Sequence, residues 1–336
     1  WIMKLSKKSL YGGGLLLFFL LFFLSVFAGT KGLSFKNGLK AFAGLFSKEE
    51  ISASAKIILL KIRLPRTLGA VFCGAALSVS GLILQTALNN TLASPGIIGV
   101  NSGAGLFVLL AGLIFPFSTF GRTAGAFTGA LFSVLTVYFI SEKAGISKTT
   151  LILAGVAVSS LMSAGIDILI TLHPEIVADK VAFSLGGFQN LNTGCLFFSL
   201  PLIILALLVL ILLSDGIDLF SLGDEVAYGL GLNVRFYRLC AILLSGVLAA
   251  SAVSVCGLLG FVGLIIPNFI RLSGKNKCRS NIILCLLFGS DFLMLCDLIS
   301  RLLFYPYDLP VGLFLSCLGS PFFIWMLISK KKKLSV

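Results

Sequence analysis

Residues 66–87 read RTLGAVFCGAALSVSGLILQTA, one arginine followed by twenty-one uncharged residues. At 1.5 Å of rise per residue such a helix spans about 30 Å, the thickness of the hydrocarbon in a bilayer. Its small residues, Gly74, Ala75 and Gly81, leave room for a neighbouring helix to come close. A soluble domain carries about 25% charged residues. This chain of 336 residues carries 12% and is 58% hydrophobic. The block therefore reads as a membrane span.

Outward from it, similar blocks recur. Ten candidate spans lie at roughly 10–29, 66–87, 93–114, 121–141, 149–171, 195–214, 237–256, 258–272, 281–301 and 309–328. The pattern predicts an all-α polytopic membrane protein, with residues 1–336 forming a single transmembrane domain. Span eight is short and contains Pro267, so it is expected to be broken or partly inserted. The N-terminus resembles a signal peptide. Yet Leu10 to Ala28 is nineteen uncharged residues, and VFAGT (26–30) is a poor cleavage site, which predicts an uncleaved first helix.

The formal net charge is +13, but the basic residues gather at the ends of apolar blocks: Lys4, Lys7 and Lys8, Arg271 to Arg279, and Lys330 to Lys333. Such placement fits anchoring to anionic membrane lipid and argues against nucleic acid. With the N-terminus inside, Lys and Arg number fifteen on the cytoplasmic side and eleven outside, eight of the eleven in the first loop. Both termini are accordingly expected in the cytoplasm. Eight cysteines form no C-x-x-C pair and sit mostly in apolar blocks beside a single histidine, His173. They read as small hydrophobes, with no metal site.

Ionisable residues inside the spans are Asp167, Asp291 and Asp297. Such groups are candidate functional sites because an unpaired charge in lipid is costly. Arg301 follows Asp297 at i+4 and can pair with it; Asp291 has no evident partner. There is no G-x-x-x-x-G-K-[ST], H-E-x-x-H or G-x-S-x-G. An enzyme is not expected, and any ATPase must be another chain. GRTAGAFTG (121–129) places Gly121, Gly125 and Gly129 on one helical face, a pattern for close helix packing.

One segment interrupts the apolar blocks. DLFSLGDEVAYGLGLNVRFYR (218–238) is acidic first and basic last. Ser221 three residues before Asp224, with Glu225 next, resembles a capping-box helix start. Val226, Ala227 and Leu230 would share a face, Gly231 would stop the helix, and Asn233 would cap the next one. The acidic polar face is wrong for anionic lipid, so a docking element for a cytoplasmic partner is expected over about 215–236.

RLPRTLGAVFCGAALSVSGLILQTALNNTLASPGIIGVNSGAG (63–105) resembles the signature region of FecCD-type permeases, the iron-siderophore, haem and cobalamin branch of ABC importers. LILAGVAVSS (151–160), SLGDEVAYGLGLN (221–233), GLLGFVGLIIPNFIR (257–271), DLISR (297–301) and LPVGLFLSCLGSPFFIWML (309–327) are similar to further family blocks, in order. The resemblance implies the fold of a type II ABC importer, like the cobalamin-importer permease. It implies a second permease subunit (identical or homologous), two ATP-binding-cassette ATPases and an extracytoplasmic substrate-binding protein. ATP and magnesium would be bound by the ATPases, leaving no cofactor on this chain.

By the same resemblance, Ser221, Leu222, Gly223, Asp224, Glu225, Ala227, Leu230 and Gly231 couple to the ATPase. Arg63, Arg66 and Arg301 would face the binding protein, and Ser147, Lys148, Thr149 and Thr150 would belong to an inner gate. The chain departs from the family's pattern at Thr91, where a proline is common, and at Asn268, where a histidine is common. Phe183 stands where members often have tryptophan. These departures leave the transported compound open.

The implied function is ATP-driven alternating-access import of a siderophore or haem across a bacterial cytoplasmic membrane, with cobalamin or another chelate as the alternative. A secondary transporter is disfavoured because repeated broken helices and paired intramembrane carboxylates are lacking. An intramembrane enzyme lacks a catalytic cluster, and a scaffold would not explain the acidic cytoplasmic segment.

Overall fold

The computed structural model describes residues 7–27, 56–144, 148–189, 191–221, 223–274, 277–303 and 307–334. Among these residues every regular element is helical. In chain order they are α1 (Lys7–Phe27), a π turn (Ile58–Arg63) leading into α2 (Leu64–Ala87), α3 (Val100–Ile114), α4 (Thr119–Lys143) and α5 (Lys148–Leu172). There follow α6 (Val177–Leu185), α7 (Thr193–Leu212), α8 (Ser214–Phe220), α9 (Asp224–Gly229) and α10 (Val234–Cys256). The last are α11 (Val262–Leu272), α12 (Cys278–Leu302) and α13 (Val311–Leu334). Among the described residues seven helices are long and apolar enough to cross a membrane, and α3, α11 and the apolar part of α13 are shorter.

These ten apolar helices match the ten expected blocks, with two starts corrected: span eight begins at 262, not 258, after Phe261 at φ +67°. Span three does not start at 93. Pro95 opens a short 3-10 turn to Ile98, and Gly99 takes a left-handed conformation at φ +79° before α3 begins. Proline lacks the donor that a continuing helix needs, and the left-handed residue redirects the chain. The fifteen-residue α3 is the result.

α2 runs through the centre, packed on α12, α10 and α11. Its small residues decide this. A Cβ on Gly74 would lie 2.3 Å from the Gly289 carbonyl oxygen of α12, and one on Gly81 would lie 2.0 Å from that of Gly263 in α11. Only glycine permits backbones this close. Serine hydroxyls then stitch the helices: Ser78 donates to the Cys285 carbonyl at 2.6 Å, Ser80 to the Ser245 carbonyl at 2.7 Å, and Ser290 to the Val71 carbonyl at 2.8 Å.

Pro267 in α11 removes the N–H that would satisfy the Gly263 carbonyl. Gln85 of α2 supplies it, donating from Nε2 at 3.0 Å. A break in one helix is thus repaired by a side chain from another, which keeps a bare carbonyl out of the apolar interior. Two apolar cores result. One joins α1, α2, α7, α10, α11 and α12; the other joins α3, α4, α5 and the middle of α10.

Candidate functional site

Two regions at opposite ends of the bundle carry the candidate residues. The end where α1 and α12 begin is termed basal, and the end where they finish distal.

The basal segment between α7 and α10 holds two short helices, not one. α8 follows α7 after Leu213, and its Gly216 sits against the Tyr237 ring, where a Cβ would lie 2.0 Å from the ring edge. The capping-box reading of Ser221 is corrected here. Its hydroxyl turns back to the Asp218 carbonyl at 2.6 Å, closing α8. α9 instead starts from Gly223 at φ +116° with no side-chain cap.

Gly231, at φ +81°, ends α9. The Leu232 N–H reaches the Ala227 carbonyl and the Gly231 N–H the Tyr228 carbonyl, the pair of bonds that closes a Schellman turn. Asn233 then caps α10 by accepting from the Phe236 N–H at 3.1 Å.

Val226, Ala227 and Leu230, expected to share an apolar face, differ in burial. Ala227 alone is buried; Val226, Tyr228 and Leu230 are exposed, Tyr228 by 78%. α9 therefore presents an apolar tip, with Glu225 also exposed beside it. Leu222 lies outside the described residues. An open groove of about 1130 Å³ runs beside the segment, lined among others by Glu142, Glu225, Tyr228 and Arg235. Arg235 pairs with Glu142, tying the start of α10 to the end of α4.

At the distal end, Arg63, Arg66 and Arg301 converge, and all three are buried. Arg66 donates from Nε to Asp297 at 3.0 Å, and Arg301 pairs with the same carboxylate at 3.1 Å. Arg301 also donates to Ser25 Oγ at 2.8 Å, and Arg63 to the Phe27 carbonyl at 2.8 Å. Ser25 in turn bonds Thr67. The arginines thus hold the last carbonyls of α1, where a helix end favours cations. The sequence shows the i+4 pair of Asp297 and Arg301; it contains no local sign that Arg66, 231 residues away, shares that carboxylate.

Asp291 is 2% exposed, and neither carboxylate oxygen has a hydrogen-bond partner among the described residues. Asp167, near the distal end of α5, pairs with Lys180 of α6 at 3.5 Å, and Asp179 of α6 pairs with Arg122 of α4 at 3.0 Å. In the exposed turn before α6, Glu175 is held below the usual carboxylate range by its own backbone N–H and by the His173 ring. Beneath α6 lies a cavity of about 600 Å³ reaching Ser254 and Cys256 at the end of α10. Ser159, Ser160 and Ser163 line a second groove, of about 560 Å³, along α5.

The expected gate residues sit at the start of α5. Thr149 is exposed and Thr150 half-buried, Lys148 begins the helix, and Ser147 lies outside the described residues. Of the glycine trio, Gly125 and Gly129 face α3: a Cβ on Gly129 would lie 2.3 Å from the Gly103 carbonyl, and one on Gly125 2.6 Å from Ala111 Cβ. Gly121 touches Phe115 and Ser118 in the turn between the two helices.

The model of the FecCD transport family fits residues 16–329. The chain belongs to the FecCD transport family. As a FecCD permease it is a transport component and not an enzyme. The Fe(3+)-citrate import system permease protein YfmD of Bacillus subtilis is 33% identical, over 96% of this chain and 95% of its own. The hemin transport system permease protein HmuU of Yersinia pestis is 35% identical over 83% and 85%.

A vitamin B12 import system permease, BtuC of Citrobacter koseri, is 32% identical over 84% of this chain and 86% of its own. A solved metal-chelate type ABC transporter in an inward-facing conformation superposes with a TM-score of 0.83. It is 29% identical, covering 96% of this FecCD permease and 100% of that chain.

Asn268 donates from Nδ2 to the Thr91 carbonyl at 3.0 Å and to the Leu264 carbonyl at 2.8 Å.

Proposed function

We propose that this chain is the membrane-spanning subunit of an importer that moves an iron chelate, a siderophore or haem, inward across the cytoplasmic membrane. The observation carrying the chelate class is that permeases for ferric citrate and hemin match it along most of its length. A second permease copy, two ATPases and an extracytoplasmic binding protein complete the machine. The basal end is then cytoplasmic and the distal end extracytoplasmic, which agrees with the Lys and Arg counts.

The stroke enters at α9. Val226, Tyr228 and Leu230 are exposed on a helix that touches α8 and α10, and an exposed apolar tip of this kind needs a partner to cover it. The ATPase supplies that partner, and its ATP-driven movement rocks the helices so that ligand passes along the serine-lined groove of α5. On the opposite face the binding protein delivers the ligand. Arg63, Arg66 and Arg301 can receive its acidic groups only by releasing Asp297 and the end of α1.

The test is uptake by vesicles containing the chain with its ATPase and binding protein, offered labelled ferric citrate, a ferric hydroxamate, haemin or cobalamin in parallel. Accumulation of one iron compound, dependent on ATP, is expected. Cobalamin uptake alone would move the assignment to that branch, and uptake without ATPase would replace it with a secondary transporter. Gly223→Pro, or Asp224→Lys with Glu225→Lys, should leave insertion intact and uncouple hydrolysis from uptake. Normal coupling in both would remove α9 from the ATPase contact.

A further inference from the structure

α12 begins without a cap of its own. Lys277 occupies the N-cap position and makes no side-chain hydrogen bond there, although the first turn of any helix leaves N–H groups unpaired. The acceptor comes from a different element. Asp218 of α8 takes the Cys278 N–H on Oδ1 at 2.8 Å, from sixty residues earlier in the chain. A carboxylate suits the place, since it also faces the positive end of the helix dipole.

We propose that Asp218 hands the movement of the coupling segment to α12, as a positioning residue acting through this cap. The inference rests on the reading of α9 as the ATPase contact. α8 flanks that contact on one side, as α10 does on the other, and α8 is itself gripped on two sides. Gly216 is seated on Tyr237 of α10, and Asp218 is bound to α12. Ser221 closes the end of α8 on the Asp218 carbonyl, three residues before α9 begins.

From there α12 carries it. This 25-residue helix is stitched to α2 by Ser78 and Ser290 and ends at the distal Asp297–Arg66–Arg301 cluster. A basal stroke thus has a stiff route to the face where a binding protein docks. Room to move exists as well. A polar cavity of about 290 Å³ lies beside Asp218, between Asn90 of the α2–α3 connection, Arg271 of α11 and Asn281 of α12.

The experiment uses the whole importer with ATPases and binding protein in nanodiscs, and needs no knowledge of the ligand. Nitroxide amino acids are placed at Leu303, just past α12, and Leu172, the last residue of α5; these are 63% and 68% exposed. Their separation is measured by pulsed electron paramagnetic resonance, with and without a non-hydrolysable ATP analogue. The parent should show a nucleotide-dependent change. Asp218→Ala should lose it while still hydrolysing ATP, and Asp218→Asn should keep it, because asparagine caps as well as aspartate.

A full distance change in Asp218→Ala would overturn the proposal, whatever its melting temperature. Equal loss in Asp218→Ala and Asp218→Asn would overturn the capping role. Gly223→Pro separates the two readings. If it too leaves the change intact, the ATPase contact at α9 has failed; if it abolishes the change while Asp218→Ala does not, only the link to α12 has.

Discussion

The seam between α2 and α12 and the face built by α5 and α6 are held in opposite ways. Along the seam, 83% of the α2 span is buried, backbones touch at Gly74 and Gly289, and serines bond across to carbonyls. Along the other face only 33% of the α5 span is buried, and α6 buries no residue at all. α6 is held there by two ion pairs at the surface, Asp179 to Arg122 and Lys180 to Asp167, by one bond from the Leu258 N–H to the Phe183 carbonyl and by packing on α3 and α13. Close packing with cross-helix hydrogen bonds resists opening, whereas solvent-exposed pairs contribute little. The contrast divides the molecule into a stiff half that can carry force and a loosely fastened half that can open.

The hardest blow to this contrast is aimed at Asp297. It is wholly buried between two guanidiniums, so Asp297→Asn leaves both without their carboxylate. A loss of about 3–5 kcal/mol is expected, as for a broken buried pair. Thermal melting in detergent measures it, and a change near zero would mean that water reaches the cluster. The same variant sharpens the docking question. If the arginines serve the binding protein, its affinity should rise at low salt when Asp297 no longer competes; unchanged affinity would confine them to holding α1.

A smaller effect is expected from Gly74→Leu, which forces the seam apart at a contact with no space for a Cβ. Overpacking of this kind costs about 1–3 kcal/mol. Gly125→Leu, at the α3–α4 contact, should behave alike. Gly229→Ala in α9, where nothing lies within 4 Å, should shift melting by less than about 0.5 kcal/mol. Equal melting for Gly74→Leu and Gly229→Ala would erase the distinction.

A comparably small change in stability belongs to Lys180→Gln. An exposed pair contributes about 0.2–1 kcal/mol, less at high salt. Melting should hardly move. Amide exchange of α6, however, should quicken in the variant, and in the parent when salt is raised, while exchange along α2 stays the same. Slow exchange of α6 in all cases would show that the ion pairs are not its fastening.

The spans were legible because membrane insertion depends on the length and composition of each block alone. What needed the structure was everything set by distant partners. Ser221 looked like a helix start because S-x-x-D is a local pattern, yet α8 ends there and claims the hydroxyl. Val226 and Ala227 carry no local sign that the first is exposed and the second buried. Arg66 and Asp297 gave no sign of each other across 231 residues. Asn268 and the Thr91 carbonyl lie far apart in the sequence, and the fold joins them by one hydrogen bond.

The repair of α11 by Gln85 also limits how these helices can move. Sliding α11 along α2 by one turn would carry the Gly263 carbonyl away from the Gln85 amide and drag the Gly81 contact out of line. Shear motion is the usual way packed helices accommodate change, by small translations at a contact. Here the contact behaves as a pivot: α11 can tilt about Gly263 and keep its bond, but it cannot translate. Motion of the basal half should therefore be angular, with displacements growing with distance from residue 263 and vanishing at it.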